Sequence, residues 1–202
     1  MKKLSSISLA CALAAAIACS SEKPPADPAF GKPDSIATPL TVAPAETATT
    51  MPKEDWNVSE TGIGPVRAGM TLKQVNEVLP ALKPSEGAGD LATAECTYAR
   101  SSSLPSGVVL MFEKGSVARI EVRSGSARTA EGAGIGDKEA RLKSLYGARL
   151  KTSPHKYTDG HYLTLPSTTD SSSKIVFETD GIRVLRFRSG KTPAVDYVEG
   201  CS

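Results

Sequence analysis

Two segments of the chain share one pattern of apolar and polar positions. Residues 112–125 read FEKGSVARIEVRSG and residues 177–190 read FETDGIRVLRFRSG, and they align without a gap at an offset of 65 residues. Each segment has an apolar strand, a glycine-containing turn and a second apolar strand, which is the pattern of a β-hairpin. Self-similarity at a fixed offset predicts an internal duplication.

The two predicted hairpins have one apolar face and one charged face. The first pairs Val108–Glu113 with residues 117–123, and the second pairs residues 174–178 with residues 182–188. Side chains alternate between the two faces of a strand, so Leu185 and Phe187 are expected to point into the core. We expect the other face to be exposed and to carry Arg119, Glu121, Arg123, Arg186 and Arg188. Such a face forms a broad surface for a partner, or its charges only keep the domain soluble.

A helix is predicted before each hairpin. The first begins at Thr71, where the sequence Thr-Leu-Lys-Gln has the spacing of a capping box, and Pro80 is expected to end it early. The second has Asp137 as its N-cap and runs to Tyr146, with Gly147 as a stop.

Short strands at residues 97–98 and 162–165 fit between each helix and its hairpin. The sequence therefore predicts an α+β domain with two tandem helix–strand–hairpin repeats, at about residues 62–125 and 132–190. The repeats are expected to form one antiparallel sheet with helices on one face.

The first residues indicate export from the cytoplasm. A basic start precedes a twelve-residue apolar run at 7–18, which is too short to span a membrane and suits a signal peptide. Residues 13–19 read LAAAIAC and resemble the lipobox of bacterial lipoproteins, which implies that Cys19 is acylated. By the same resemblance, Ser20 implies delivery to the outer membrane. The alternative is an ordinary signal peptide that leaves Cys19 as a free thiol.

The chain then divides into a tether and a domain. Seven of its 14 prolines lie between Ser20 and Asp55, amid alanine and threonine. Such a composition buries too little apolar surface to offset its ordering entropy, so residues 19–55 are predicted to be a disordered, semi-extended tether. Residues 56–202 remain, enough for one domain with its own core.

Charge and aromatic content exclude one class of partner. The chain has 24 Lys and Arg against 22 Asp and Glu, and two of the lysines belong to the predicted leader. A mature chain near neutrality is not a strongly basic nucleic-acid binder. Ten aromatic residues are too few for a broad base-stacking platform as well.

Two cysteines remain for the domain, Cys96 and Cys201. Cysteines in an oxidising compartment favour a disulfide, which would join the C-terminus to the first half of the domain. The alternative is two separate buried thiols.

A polar loop is the main candidate site outside the hairpins. It carries His155, Tyr157, Asp159 and His161. These side chains can hydrogen-bond a sugar or a protein, and the alternative is a solvated connection into the next strand. Two histidines without further ligands at metal spacing predict no metal site.

No catalytic constellation is recognisable. Neither histidine has an evident serine or cysteine partner, and no G-x-S-x-G sequence occurs. The glycine-rich residues 132–136 mimic a phosphate loop, but Asp137 would repel phosphate there. We therefore expect a domain that is not an enzyme and that carries no cofactor.

Four phrases carry a resemblance to a known group of proteins: GIGPVRAGMT at 62–71, GIGDKE at 134–139, FETDG at 177–181 and DYVEGC at 196–201. Together they resemble poorly characterised proteobacterial lipoproteins, some of which are labelled lectins. The duplicated layout is similar to the β-lactamase inhibitory protein and to small outer-membrane assembly lipoproteins.

The resemblance implies an envelope lipoprotein without enzymatic activity. Its domain would face the periplasm, with surface exposure left open, and would bind another envelope protein as an inhibitor, an immunity factor or an assembly accessory. The alternative is a carbohydrate-binding, lectin-like lipoprotein. The candidate ligand-binding residues are Arg119, Arg123, Arg186 and Arg188 on the sheet and the four polar residues of the loop.

Overall fold

The computed structural model describes residues 55–201. The predicted signal peptide, the acylation site Cys19 and the tether up to residue 54 lie outside the described residues. Within the described part, no helix is long and apolar enough to cross a membrane.

One eight-stranded antiparallel sheet organises the domain, and a three-stranded sheet precedes it. The small sheet consists of β1 (Val58–Ser59), β2 (Gly62–Ile63) and β3 (Val66–Arg67). The large sheet consists of β4 (Lys83–Pro84), β5 (Thr97–Arg100), β6 (Val108–Glu113), β7 (Ser116–Val122), β8 (Lys151–Pro154), β9 (His161–Pro166), β10 (Ser173–Thr179) and β11 (Val184–Lys191). Two helices complete the regular structure, α1 (Leu72–Val78) and α2 (Glu139–Tyr146).

The chain order repeats itself across the large sheet. Helix α1 is followed by β4 to β7, α2 is followed by β8 to β11, and the strand order is β4-β5-β6-β7-β11-β10-β9-β8. The last strands of the two halves, β7 and β11, pair with each other at the centre, with Glu121 opposite Arg188 and Arg119 opposite Gly190. The hairpins β6–β7 and β10–β11 are therefore joined edge to edge in one sheet, through the pairing of β7 with β11.

The predicted α+β class is wrong, because the structure is mostly β. The helices have seven and eight residues, which is too short to cover one face of an eight-stranded sheet. The apolar pattern missed the outer strands β4 and β8, because all their residues are exposed and the strands show no apolar alternation. The small sheet, which the pattern also missed, contributes Val58, Ile63 and Val66 to the core.

The two helix starts differ in their capping. Thr71 caps α1 through a complete capping box with Gln74, as its sequence predicts. Lys138, and not Asp137, is the N-cap residue of α2, without a side-chain cap. The Asp137 carboxylate instead accepts a hydrogen bond from the backbone N–H of Gly134 at 2.9 Å, because the glycine-rich loop folds back onto it.

The inner face of the large sheet carries the apolar core. Phe112, Phe177 and Phe187 are fully buried, and Phe177 lies opposite Phe187 with ring centroids 5.2 Å apart. From the helices, Val75 and Leu142 enter the same cluster. Each fully buried side chain of this size contributes about 1.5–3 kcal/mol, so the hairpin pair holds much of the core.

The last ten described residues, 192–201, cross the outer face of the sheet, and we call them the C-terminal segment. Ala194 and Val195 of this segment are buried there. Its end is joined to the residue before β5 by the disulfide Cys96–Cys201, with the two Cα atoms 5.4 Å apart. The bond predicted from the cysteine count is thus present, and it closes a loop between residues 105 positions apart.

Candidate functional site

Side chains that point away from the core on β7, β10 and β11 form a network of opposite charges. In β7 the alternation directs Ile120 and Val122 into the core, so the charged residues at positions 119, 121 and 123 face outward. We call this network the arginine–glutamate cluster; its members are Arg119, Glu121, Arg123, Glu178, Arg186 and Arg188.

Glu121 holds the first half of the cluster. Its Oε1 accepts from Arg119 Nε at 2.8 Å and from the Tyr98 hydroxyl at 3.0 Å, and its Oε2 accepts from Arg123 Nε at 2.6 Å. Burial raises the pKa of Glu121, but the charges and hydrogen bonds of the two arginines outweigh burial and keep that pKa below its ordinary range. The carboxylate therefore stays ionised near neutral pH.

Glu178 holds the second half in the same way. It accepts hydrogen bonds from Arg188 Nη1 and, at 2.6 Å, from Arg186 Nε. Each glutamate thus binds one inner arginine, Arg119 or Arg188, and one outer arginine, Arg123 or Arg186. The inner residues are 3% and 6% exposed, whereas the outer side chains are 41% and 55% exposed.

The C-terminal segment covers the inner arginines. Arg119 Nη1 donates to the carbonyl oxygens of Ala194 at 2.8 Å and Tyr197 at 2.6 Å, and Arg188 Nε donates to that of Val195 at 2.6 Å. A buried guanidinium is tolerated only with such partners. These bonds fix the path of the segment across the sheet.

The expected broad, exposed charged face is therefore wrong for three of its five residues. Arg119 and Arg188 are buried beneath the C-terminal segment, Glu121 is buried between its arginines and Tyr98, and only Arg123 and Arg186 remain exposed. Strand alternation identifies which side chains share a face, but it contains no information on what covers that face.

A β-bulge lies at the start of β11. Glu178 pairs with Arg186 and Thr179 with Val184, which leaves Leu185 as an extra residue between the two pairs. Val184 is buried and Leu185 is 55% exposed, so the expected inward position of Leu185 is wrong. The bulge places Leu185 beside Arg186 at the surface.

Four exposed residues surround a shallow depression at this bulge, and we call them the bulge surface: Arg123, Thr158, Leu185 and Arg186. His155 and Glu178 form its floor. The bulge surface combines two cations with one exposed apolar side chain.

The polar loop does not form one site. His155 stacks on Tyr162 with ring centroids 4.5 Å apart, and its Nε2 lies 3.6 Å from Glu178, next to the arginine–glutamate cluster. His161 Nδ1 lies 2.8 Å from Glu139 Oε1 at the start of α2. Because His161 and Tyr162 are consecutive in β9, their side chains point to opposite faces of the sheet.

The other two loop residues are exposed. The Tyr157 hydroxyl donates a hydrogen bond to Glu199 of the C-terminal segment, and Asp159 is exposed on the same loop. The loop therefore contributes His155 to the cluster and Tyr157 to the C-terminal segment, with His161 directed elsewhere.

One member of the cluster, Glu178, and two residues beside it, Tyr98 and Glu199, were not identified as site residues from the sequence. Glu178 alternates with the core residue Phe177 in β10, so the hairpin pattern contained the information needed to find it. Tyr98 lies in a predicted strand and Glu199 in the DYVEGC phrase, but neither pattern indicates that long-range packing brings them to the cluster.

The arginine–glutamate cluster and the polar loop present hydrogen-bond donors and charged groups rather than a nucleophile or a metal site. In the described range, no serine, threonine or cysteine side chain is hydrogen-bonded to the ring of His155 or His161. No group of three or more His, Cys, Asp or Glu residues in this range is placed to hold a metal ion. What the cluster can do directly is donate hydrogen bonds to an anionic group.

Comparisons with known proteins add little to this description. No family model matches the chain, and no curated protein sequence is significantly similar to it. Among solved structures, the uncharacterized protein yfeY from Escherichia coli shows 14% sequence identity and a TM-score of 0.42. The similarity covers 67% of this chain and 99% of that one. A similarity this weak indicates neither the family nor the function of the chain.

Proposed function

We propose that the domain is a non-catalytic module that binds another protein of the bacterial envelope through the bulge surface. The observation that carries the proposal is the bulge in β11, which exposes Leu185 directly beside Arg186. Bulges are common where a side chain must be re-aimed for function. Arginine is enriched among the residues that dominate binding energy, and an apolar neighbour adds area that association removes from water.

The two arginines of the bulge surface are held in place before binding. Arg123 and Arg186 each donate from Nε to a carboxylate at 2.6 Å, and both of these carboxylates are buried. A side chain that is already ordered loses less conformational entropy when a partner arrives. Two fixed cations also favour a partner with an acidic patch, which charge complementarity would steer to this surface.

The proposed place of action is the periplasmic side of the outer membrane, through acylated Cys19. Two features support it: the lipobox-like residues 13–19, and the disulfide, since disulfides persist mainly in exported proteins. Inhibition, immunity and assembly assistance are all compatible with such a tethered module.

Within residues 55–201, the polar loop offers no comparable surface for the carbohydrate-binding alternative. His155 and His161 point to opposite faces of the sheet, so they cannot contact one sugar together. Tyr157 and Asp159 remain as exposed polar residues of the loop.

The test is crosslinking in cells with the full chain, followed by identification of the crosslinked proteins. The bulge variant combines Leu185→Ser with Arg186→Ala, and the control variant combines Leu145→Ser with Lys73→Ala. The control removes the same kinds of exposed side chain from the helices. We expect proteins crosslinked to the wild type to be at least tenfold depleted with the bulge variant and retained with the control.

Equal recovery with both variants would contradict the proposal. A third variant, Tyr157→Phe with Asp159→Asn, tests the alternative against glycans and peptidoglycan. Glycan binding that this variant abolishes, while the bulge variant keeps it, would replace protein binding by lectin-like binding.

A further inference from the structure

A cleft of about 230 Å³ lies between the C-terminal segment and the arginine–glutamate cluster. Arg123 and Arg186 line it from the sheet, and Val198 and Glu199 line it from the C-terminal segment. Tyr98 forms another wall, and the guanidinium carbon of Arg123 lies 4.3 Å from the centre of its ring. The cleft is large enough for a small functional group of a ligand and not for a whole sugar chain or helix.

Two guanidinium groups present free donors to this cleft. Arg123 uses Nε and Nη2 for Glu121, and Arg186 uses Nε for Glu178. Within residues 55–201, Nη1 of Arg123 and both Nη atoms of Arg186 have no hydrogen-bond partner in the protein.

The two donors come from neighbouring strands. Val122 and Phe187 face each other in the β7–β11 pairing, so Arg123 and Arg186 occupy the next position on adjacent strands. Adjacent strands lie about 4.8 Å apart, so one small planar anion can reach both guanidinium groups. Arginine donates to such groups in a fixed fork geometry.

The charges that line the cleft do not cancel. Four arginines and three glutamates leave one net positive charge. Burial lowers the pKa of Arg188, and the neighbouring charge of Arg119 acts in the same direction, against the effect of Glu178. Uncompensated positive charge at a partly buried site is relieved by one bound anion.

We infer that the cleft binds one singly charged carboxylate, held between Arg123 and Arg186 and carried by the protein partner. The inference rests on the proposed function for the carrier of the carboxylate, which is an acidic side chain or a chain terminus. A carboxylate fits better than a phosphate, because one charge matches the excess and the three glutamates would repel a dianion.

The test uses small probes and the isotopically labelled full chain in detergent, with the Nε–Hε signals of the arginines as the readout. N-acetylglycine carries a terminal carboxylate, and N-acetylaspartate α-methylamide carries a side-chain carboxylate. N-acetylglycinamide is the neutral control, and inorganic phosphate at alkaline pH, where it is mostly doubly charged, is the dianion.

We expect both carboxylates to shift the signals of Arg123 and Arg186 in a saturable way, and the tighter probe identifies the source. Phosphate should bind more weakly, and the neutral amide should cause no shift. Each substitution removes charge-assisted hydrogen bonds to the carboxylate, so Arg186→Gln or Arg123→Gln should weaken binding on the order of tenfold or more. Arg100→Gln removes an exposed arginine outside the cleft and should change nothing.

Equal shifts with the neutral amide, tighter binding of phosphate, or unchanged binding by both glutamine variants would overturn the inference. Its failure is distinguishable from failure of the proposed function. If the carboxylate probes bind while the bulge variant recovers the same crosslinked proteins as the wild type, the cleft is an acid-binding site and the protein-binding proposal fails. If crosslinking depends on the bulge surface while no probe binds, the protein-binding proposal stands and the carboxylate inference fails.

Discussion

Replacing Glu178 by glutamine tests whether the arginine–glutamate cluster stabilises the folded domain. Glu178 is 3% exposed and accepts from Arg186 and Arg188, with His155 Nε2 3.6 Å away. Glutamine has nearly the same shape but no charge. Arg188 would then keep its positive charge in a buried position beside Arg119, with only neutral acceptors, the Val195 carbonyl and the introduced amide oxygen.

The expected cost follows from that burial. Breaking one partner of a buried ion pair costs about 3–5 kcal/mol, because the other charge is left uncompensated. A domain of this size has a total stability of about 5–15 kcal/mol, so Glu178→Gln removes a large share. With a urea m-value of about 2 kcal/mol/M, the midpoint should fall by roughly 1.5–2.5 M.

Urea unfolding followed by circular dichroism measures this difference. The matched control is Glu95→Gln, which breaks an ion pair with Lys114 whose side chains are 84% and 75% exposed. Exposed pairs contribute at most about 1 kcal/mol, so the urea midpoint of the control variant should stay close to that of the wild type. The double variant Glu178→Gln with Arg188→Met should lose less than the sum of the single losses. A cost below about 1 kcal/mol for Glu178→Gln would refute the structural role of the cluster.

Three further predictions address the disulfide, acid stability and the anchor. Replacing Cys96 and Cys201 by alanine should lower the free energy of unfolding by about 4–5 kcal/mol, because the bond closes a long loop; alkylation of two thiols in the native, unreduced protein would contradict the bond. The folded pKa of Glu121 is lowered, so its stabilising effect is complete above about pH 5 and is lost as the pH falls through that lower pKa. Acid unfolding of Glu121→Gln should therefore depend less on pH, and an unchanged profile would contradict this. Cys19→Ser should release the protein from the membrane fraction, and acylation should be visible by mass spectrometry of the wild type; a variant that still pellets would argue against the anchor.

The central hairpins were accessible to sequence analysis for a physical reason. Both carry a long apolar alternation and a glycine-containing turn, and the observed strands β6, β7 and β10 differ from the predicted ranges by at most one residue at an end. A hairpin is a local structure, so its information is contained in one stretch of chain. The predicted short strands likewise fall within β5 and β9.

The fold class was not accessible, because the missing strands depend on neighbours rather than on their own residues. Strand β8 consists of Lys, Thr, Ser and Pro, all exposed, and it exists only because it pairs with β9 at the sheet edge. Strand β4 has two residues and pairs with β5 in the same manner. Edge strands without apolar residues carry no periodic pattern, so the helical periodicity dominates the pattern from which the fold class is predicted.

About half of the candidate site could be predicted from the sequence. Alternation placed Arg119, Arg123, Arg186 and Arg188 on one face, as the structure has them. It could not show that a segment far along the chain would bury two of them, nor that a bulge would turn Leu185 outward. Both features arise from tertiary packing, which overrides the strand period locally.

The duplication explains why this particular face carries an unbalanced charge. Because β7 and β11 pair at the centre, the two hairpins bring their outward arginines to one place, and the two central glutamates cannot neutralise four cations. The C-terminal segment compensates the inner pair with backbone carbonyls, and Cys96–Cys201 keeps its end in place. Within residues 55–201 the outer pair has no carbonyl partner of this kind, so its remaining donors stay unpaired at the surface. The disulfide therefore helps to hold the segment that covers Arg119 and Arg188 and leaves Arg123 and Arg186 exposed.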